Sequence, residues 1–215
     1  YFNTWMYVIT VGHKTICKVF RLSLYVIFLR FTYPNETMDW LLVKHNKYLF
    51  VLFNAQANAA IVEIYYLDLM DDQRGFCIDI RGHKSKAKID SGLQAHTCYS
   101  YQGSIAVDQG FDSLKIDKGQ FYLPAFDVCM EATSNSTQAP LLLRKCQDKK
   151  LQKFKWGNNG RIYLVSNEKL CLTVAQGKSR QGGGGSPKHL IRNLFLDLCN
   201  NTEIASQMWG IRSMP

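Results

Sequence analysis

From residue 61 onward the chain alternates short apolar runs with polar turns. The runs cover 61–67, 75–80, 113–116, 120–123, 161–164 and 170–174, and valine, isoleucine, tyrosine and phenylalanine mark them. Those residue types suit a pleated, half-buried surface. Asp117-Lys118-Gly119, Asn158-Asn159-Gly160 and Ser166-Asn167-Glu168 supply hairpin turns. Few windows sustain a 3.6-residue period, so the pattern predicts an all-β domain. A glycine run at 182–185, followed by Ser186-Pro187, reads as a flexible surface insertion.

The first sixty residues have a different texture. Residues 1–33 are apolar and basic without clean periodicity, and their best apolar run, 22–29, is flanked by Arg21 and Arg30. A spanning helix needs about 20 apolar residues, so this run does not cross a bilayer. Within 38–59, basic Lys44-His45-Asn46-Lys47 precedes an apolar stretch at 48–53 and then alternate small residues through Ala59. That is the layout of a cleavable signal peptide, although a packed or disordered extension accounts for it more readily. Residues 1–60 are therefore set apart as an N-terminal extension, and 61–215 as one domain.

Within that domain three half-alike stretches follow one another. Each has an opening cysteine, a second cysteine, and then a glutamine two residues before an aromatic. They are Cys77, Cys98 and Gln109-Gly110-Phe111; Cys129, Cys146 and Gln152-Lys153-Phe154; and Cys171, Cys199 and Gln207-Met208-Trp209. A repeat of this length means one supersecondary unit used several times around a shared core. The repeats are placed at about 70–117, 118–160 and 161–215.

Six of the seven cysteines fall two per repeat, and Cys17 lies far upstream. Zinc sites favour close Cys-x-x-Cys knuckles, which are absent, so no metal is expected. The spacing instead predicts three loop-closing disulfides, Cys77–Cys98, Cys129–Cys146 and Cys171–Cys199, and hence an oxidising compartment. Asn-x-Ser/Thr triplets at Asn35, Asn135 and Asn200 fit a secreted or extracellular location.

The net charge of +9 raises nucleic acid or an anionic membrane as a partner. The basic stretches 84–88 and 149–155 are interrupted by uncharged residues and read as solvated faces, so no nucleic-acid partner is expected. Nothing indicates catalysis or a cofactor. His13, His45, His83, His96 and His189 show no metal-ligand spacing, and neither a nucleophile elbow nor a phosphate-binding loop is present.

Cys-x-Asp-x-Arg at 77–81, a Gln-x-ring-x-Cys step at 94–98 and Gln-x-Trp at 207–209, in threefold repetition, resemble the ricin B-type (R-type) lectin domain. The resemblance covers about 61–215 and implies a β-trefoil, three four-stranded units about a pseudo-threefold axis. Phe111, Phe154 and Trp209 would then share one hydrophobic centre. It also implies binding of galactose or N-acetylgalactosamine without chemistry. Asp79 matches the anchoring carboxylate, Gln94 an amide contact, His96 the stacking ring, and Asp108-Gln109 the pair that is usually Asn-Gln. A sugar needs such a set: polar groups for its hydroxyls and a flat ring for its C–H face.

The other repeats have lost parts. The second has Glu131 but Leu142 and Arg144, and the third has Thr173, Phe195 and Asp197. The first repeat is therefore the expected site, and Gln109 is expected to bond backbone as well. The implied partners are glycans or glycoproteins with terminal galactose-type sugars, with membrane contact only through glycans. A shallow single site binds at roughly millimolar, so a homo-oligomer would add avidity. Two other readings stay open. One is an accessory lectin end of a larger glycosyltransferase or glycoside hydrolase, which the start at Tyr1 rather than Met allows; the other is a trefoil that binds protein instead of sugar.

Overall fold

The computed structural model describes the backbone of residues 5–11, 14–21, 24–33, 36–45, 48–57, 59–199 and 204–214, with side chains over 59–199 and 206–214. The chain divides into two units, Tyr1–Ala59 and Ala60–Pro215. In the first, strands β1 (Trp5–Val11), β2 (Lys14–Arg21), β3 (Leu24–Tyr33), β4 (Glu36–His45) and β5 (Tyr48–Ala57) form an antiparallel meander in chain order. The runs that lacked clean periodicity are rich in β-branched and aromatic residues, and that content outweighs the missing alternation. Cys17 falls in β2, and the signal-like segment runs through β4 and β5. The side chains of both, and the Asn35 and Asn200 triplets, lie outside the described residues.

The second unit has three lobes. The first holds β6 (Ile61–Tyr66), β7 (Phe76–Ile80), β8 (Leu93–Thr97) and β9 (Phe111–Asp112). The second holds β10 (Tyr122–Leu123), β11 (Val128–Ala132), β12 (Ala139–Arg144) and β13 (Phe154–Trp156). The third holds β14 (Ile162–Leu164), β15 (Asn167–Val174), β18 (Leu194–Leu198) and β19 (Trp209–Ser213), with an extra hairpin, β16 (Arg180–Gln181) and β17 (Leu190–Arg192), inserted between β15 and β18. The domain closes on itself: β19 pairs with β6, joining Trp209 to Tyr66 and Ser213 to Val62. This is a β-trefoil, and β6 stands ahead of the first cysteine pair as the opening strand of lobe one.

Phe111, Phe154 and Trp209 are all buried in a single core, joined by Phe121. The Phe121 ring lies 5.6 Å from Phe154 and 6.4 Å from Phe111, both edge-on. Trp209 satisfies its indole N–H by donating to the Leu172 carbonyl at 3.0 Å. Each such side chain contributes about 1.5–3 kcal/mol by leaving water.

Three local expectations change. Residues 113–116 are not a strand but lie in a short helix, α1 (Ser113–Asp117), because the Asp112 carboxylate caps its start by accepting from the Lys115 N–H at 3.0 Å. Gly119, with φ +75°, ends that helix instead of turning a hairpin. The glycine-bearing insertion is not a loose surface loop either. Its strand β17 pairs with β8 of the first lobe, setting Ile191 beside His96 and Arg192 beside Ala95.

Candidate functional site

The three lobes share one register. Across β7–β8 the opening Cys77 faces His96 and Asp79 faces Gln94. Across β11–β12 Cys129 faces Arg144 and Glu131 faces Leu142. Across β15–β18 Cys171 faces Asp197 and Thr173 faces Phe195. Disulfides Cys77–Cys98, Cys129–Cys146 and Cys171–Cys199 close each hairpin. Pairing thus brings the residue two after the first cysteine next to the residue four before the second in every lobe.

The repeated glutamines staple these hairpins. Gln109 Nε2 donates to Asp79 Oδ2 and to the Thr97 carbonyl, each at 3.1 Å, and its Oε1 accepts from the Tyr99 N–H at 2.9 Å. Gln152 makes the matching bonds to Glu131, the Lys145 carbonyl and the Gln147 N–H. Gln207 bonds Thr173 and the Leu198 carbonyl. All three are buried, so each bond replaces water that cannot reach the amide. The glutamine therefore holds a lobe together whether or not that lobe keeps a sugar-type set.

In the first lobe Asp79, Gln94 and Gln109 come together, with Asp79 enclosed between the two amides. Gln94 Nε2 donates to Asp79 Oδ1 at 3.0 Å. Burial pushes the Asp79 carboxyl well above the usual carboxylate range, and nearby Asp108 adds to the rise. Asp108 is also fully buried; its Oδ2 meets His83 Nδ1 at 3.1 Å, while its Oδ1 has no partner among the described residues. Asp79, Asp108 and Gln109 thus form an inner layer. Gln94 and His96 are the members of the expected set that line the adjoining cleft.

That cleft has a volume of about 1110 Å³, slightly more than the usual range for small-molecule pockets. His96 bonds the Thr97 carbonyl through Nδ1 at 2.9 Å. Burial lowers its pKa below the ordinary histidine value, so the neutral ring has Nδ1–H as donor and Nε2 as an open acceptor. Tyr99 stacks on His96 with centroids 5.3 Å apart, and His189 meets both rings edge-on at 5.1 Å. Tyr101 adds a half-exposed ring whose hydroxyl lies 3.2 Å from His189 Nε2.

Sequence reasoning missed Tyr99, Tyr101, His83 and His189. Tyr99 and Tyr101 follow Cys98 directly and could have been found as aromatics flanking the expected ring. His189 could not, because it arrives on the third-lobe insertion. Buried Asp72 anchors that insertion, accepting from Arg74 Nε at 2.8 Å and Thr97 Oγ1 at 2.6 Å. Arg74 in turn donates to the carbonyls of Pro187 and Lys188, and the Leu190 N–H donates to Thr97 Oγ1 at 2.8 Å. Asp71 receives Arg192 Nη2 at 2.7 Å and the Ser179 hydroxyl at 2.8 Å. Gly183, Gly184, Gly185 and Ser186 thereby become one rim of the cleft.

A three-lobed β domain with one disulfide and one buried glutamine staple per lobe is a trefoil lectin scaffold. The chain belongs to the ricin-type β-trefoil lectin domain family, whose model matches residues 65–209, and such domains are carbohydrate-binding. Among solved structures the chain is similar to an agglutinin from Abrus precatorius. The identity is 10%, the TM-score is 0.46, and the match covers 92% of this chain and 81% of that one. It is also similar to the hemolytic lectin CEL-III at 13% identity and a TM-score of 0.43; 97% of this chain is covered but 44% of the other. No curated protein sequence matches.

Proposed function

We propose that the domain is a non-catalytic lectin that recognises galactose- or N-acetylgalactosamine-type sugars through its first lobe. The observation that carries this reading is the coincidence, in one lobe of three, of a carboxylate, an amide and an aromatic-type ring on paired strands beside a cleft. The other two hairpins have the same register but present Leu142 with Arg144, and Phe195 with Asp197.

Gln94 and His96 meet the hydroxyls, and Tyr99 and Tyr101 offer the flat apolar surfaces. Asp79 acts from behind: by accepting one Gln94 amide hydrogen it leaves the Gln94 carbonyl and the second N–H for sugar. Three disulfides favour an oxidising, extracellular setting. Glycoproteins with terminal galactose-type sugars are the partners, and self-association would raise avidity at weak single sites.

The test is retention of the full chain on immobilised galactose and N-acetylgalactosamine, eluted by free sugar. His96→Ala and Gln94→Ala are expected to abolish retention, with melting lowered but still cooperative, since each removes a buried hydrogen bond worth about 1–3 kcal/mol. Undiminished retention by both variants would remove the first-lobe assignment.

A further inference from the structure

The cleft has three lysines and three histidines in its lining and no carboxylate: Lys84, Lys86, Lys88, His83, His96 and His189. Two acids, Asp79 and Asp108, lie beneath its floor, where Asp79 is wrapped by two amides and Asp108 faces His83. None of the three lysines forms an ion pair among the described residues. A neutral sugar gives no reason to gather three lysines along a cleft that no carboxylate lines.

The loop that carries the lysines is built rather than loose. The Lys88 N–H donates to the Arg81 carbonyl at 2.6 Å, closing the loop at its base, and the Lys86 and Ala87 N–H groups return to the carbonyls of His83 and Lys84. Gly82 has φ +103°, and a Cβ there would lie 2.2 Å from the Lys86 carbonyl oxygen, so only glycine permits the turn. Lys84 itself has φ +48°, a left-handed conformation that an L side chain adopts at a cost. Strain retained where glycine would relieve it points to a use for the side chain.

We infer that the first-lobe cleft takes an anionic saccharide, whose sulfate, phosphate or carboxylate substituent is held by Lys84, Lys86 and Lys88. The inference rests on the lectin reading and sharpens it. The sugar ring occupies the floor at Gln94, His96 and Tyr99, and the anion reaches the lysine wall on the His83 side. Lysine suits this task as a mobile point charge with three donors, able to follow a substituent at more than one ring position. The amide, imidazole and phenol floor favours a pyranose over a bare polyanion, which needs only a charged track.

The experiment is a glycan array of matched pairs, probed with the full chain. Each neutral galactose- or N-acetylgalactosamine-terminated glycan stands beside its sulfated, phosphorylated and sialylated forms. At least one charged form is expected to bind tenfold or more tightly than its neutral partner at 50 mM salt. That ratio should shrink towards one at 0.5 M salt, as exposed charges are screened. It should also fall at least fivefold in the Lys84→Gln/Lys86→Gln/Lys88→Gln variant, with wild-type melting as the folding control. Equal binding of neutral and charged partners overturns the inference and leaves the lectin reading standing. Binding of no glycan at all overturns both. Inorganic sulfate or a short oligonucleotide competing as well as the charged glycan shows a charge-only surface and also overturns it.

Discussion

Gln94 donates its side-chain N–H to Asp79 across paired strands at 3.0 Å, and Asp79 is wholly shielded from solvent. The carboxylate that the family resemblance places against sugar hydroxyls is instead bonded by an amide and closed off from the cleft in this chain. Asp79→Ala would strip an acceptor from two buried amides, Gln94 and Gln109, at about 1–3 kcal/mol in total stability. Loss of sugar retention should accompany the lower melting temperature. Asp79→Ala with unchanged melting would show that the two amides find other partners.

Asp79 also sets a pH dependence. Its pKa is raised by burial, so its contribution to stability is fully present below the ordinary value of about 3.9 and is lost as pH rises through the higher folded value. In that window the unfolded chain has released the proton and the folded chain has not, so stability falls with pH. Denaturant midpoints measured from pH 3 upward in wild type and Asp79→Asn should differ in slope there, with the variant flatter.

The insertion responds to acid in the opposite sense. Asp72 pays a burial penalty, yet bonds from Arg74 and Thr97 lower its pKa below the ordinary value. Asp71 is likewise held low by Arg192 and Ser179 against desolvation. Their stabilisation is complete above about pH 3.9 and disappears as pH falls through the depressed values. Measured against the intrinsic rate, which itself slows in acid, hydrogen exchange at the Leu190 amide, which donates to Thr97 Oγ1, should quicken in that acid range. Thr97→Val should quicken it at neutral pH by removing bonds worth about 1–3 kcal/mol together.

Sugar binding should have its own acid limb. His96 is kept neutral by burial, which leaves Nε2 free to accept. Retention on a galactose matrix is expected to stay level from pH 8 to about 6.5, the ordinary histidine value, and to decline only below it, as protonation removes that acceptor. A decline beginning above pH 7 would assign the titration to another group.

The second lobe separates scaffold from site. Gln152→Ala removes bonds to Glu131, the Lys145 carbonyl and the Gln147 N–H. It should cost about 1–3 kcal/mol and leave sugar retention untouched once the protein is folded. Reduction of Cys129–Cys146, which closes a 17-residue separation, should cost roughly 3 kcal/mol. Chemical denaturation with parallel retention assays checks both.

What the sequence determined alone was whatever depends on neighbours along the chain. Alternating apolar runs marked the strands, three cysteine pairs marked the hairpins, and the aromatic after each glutamine marked the core, as Phe111, Phe154 and Trp209 show. Each is a local pattern that one repeat explains and the others corroborate. The helix at 113–117 escaped because a single capping carboxylate, Asp112, outweighed the strand character of its residues. Only the tertiary structure decided which expected site residues face the cleft and which lie beneath it. His189 reaches Tyr101 from 88 residues further on, and the lysine wall faces a glycine rim supplied by another lobe. Burial, screening and charge at a site arise from segments that meet only when the chain has folded, and no spacing along a line encodes which of them will.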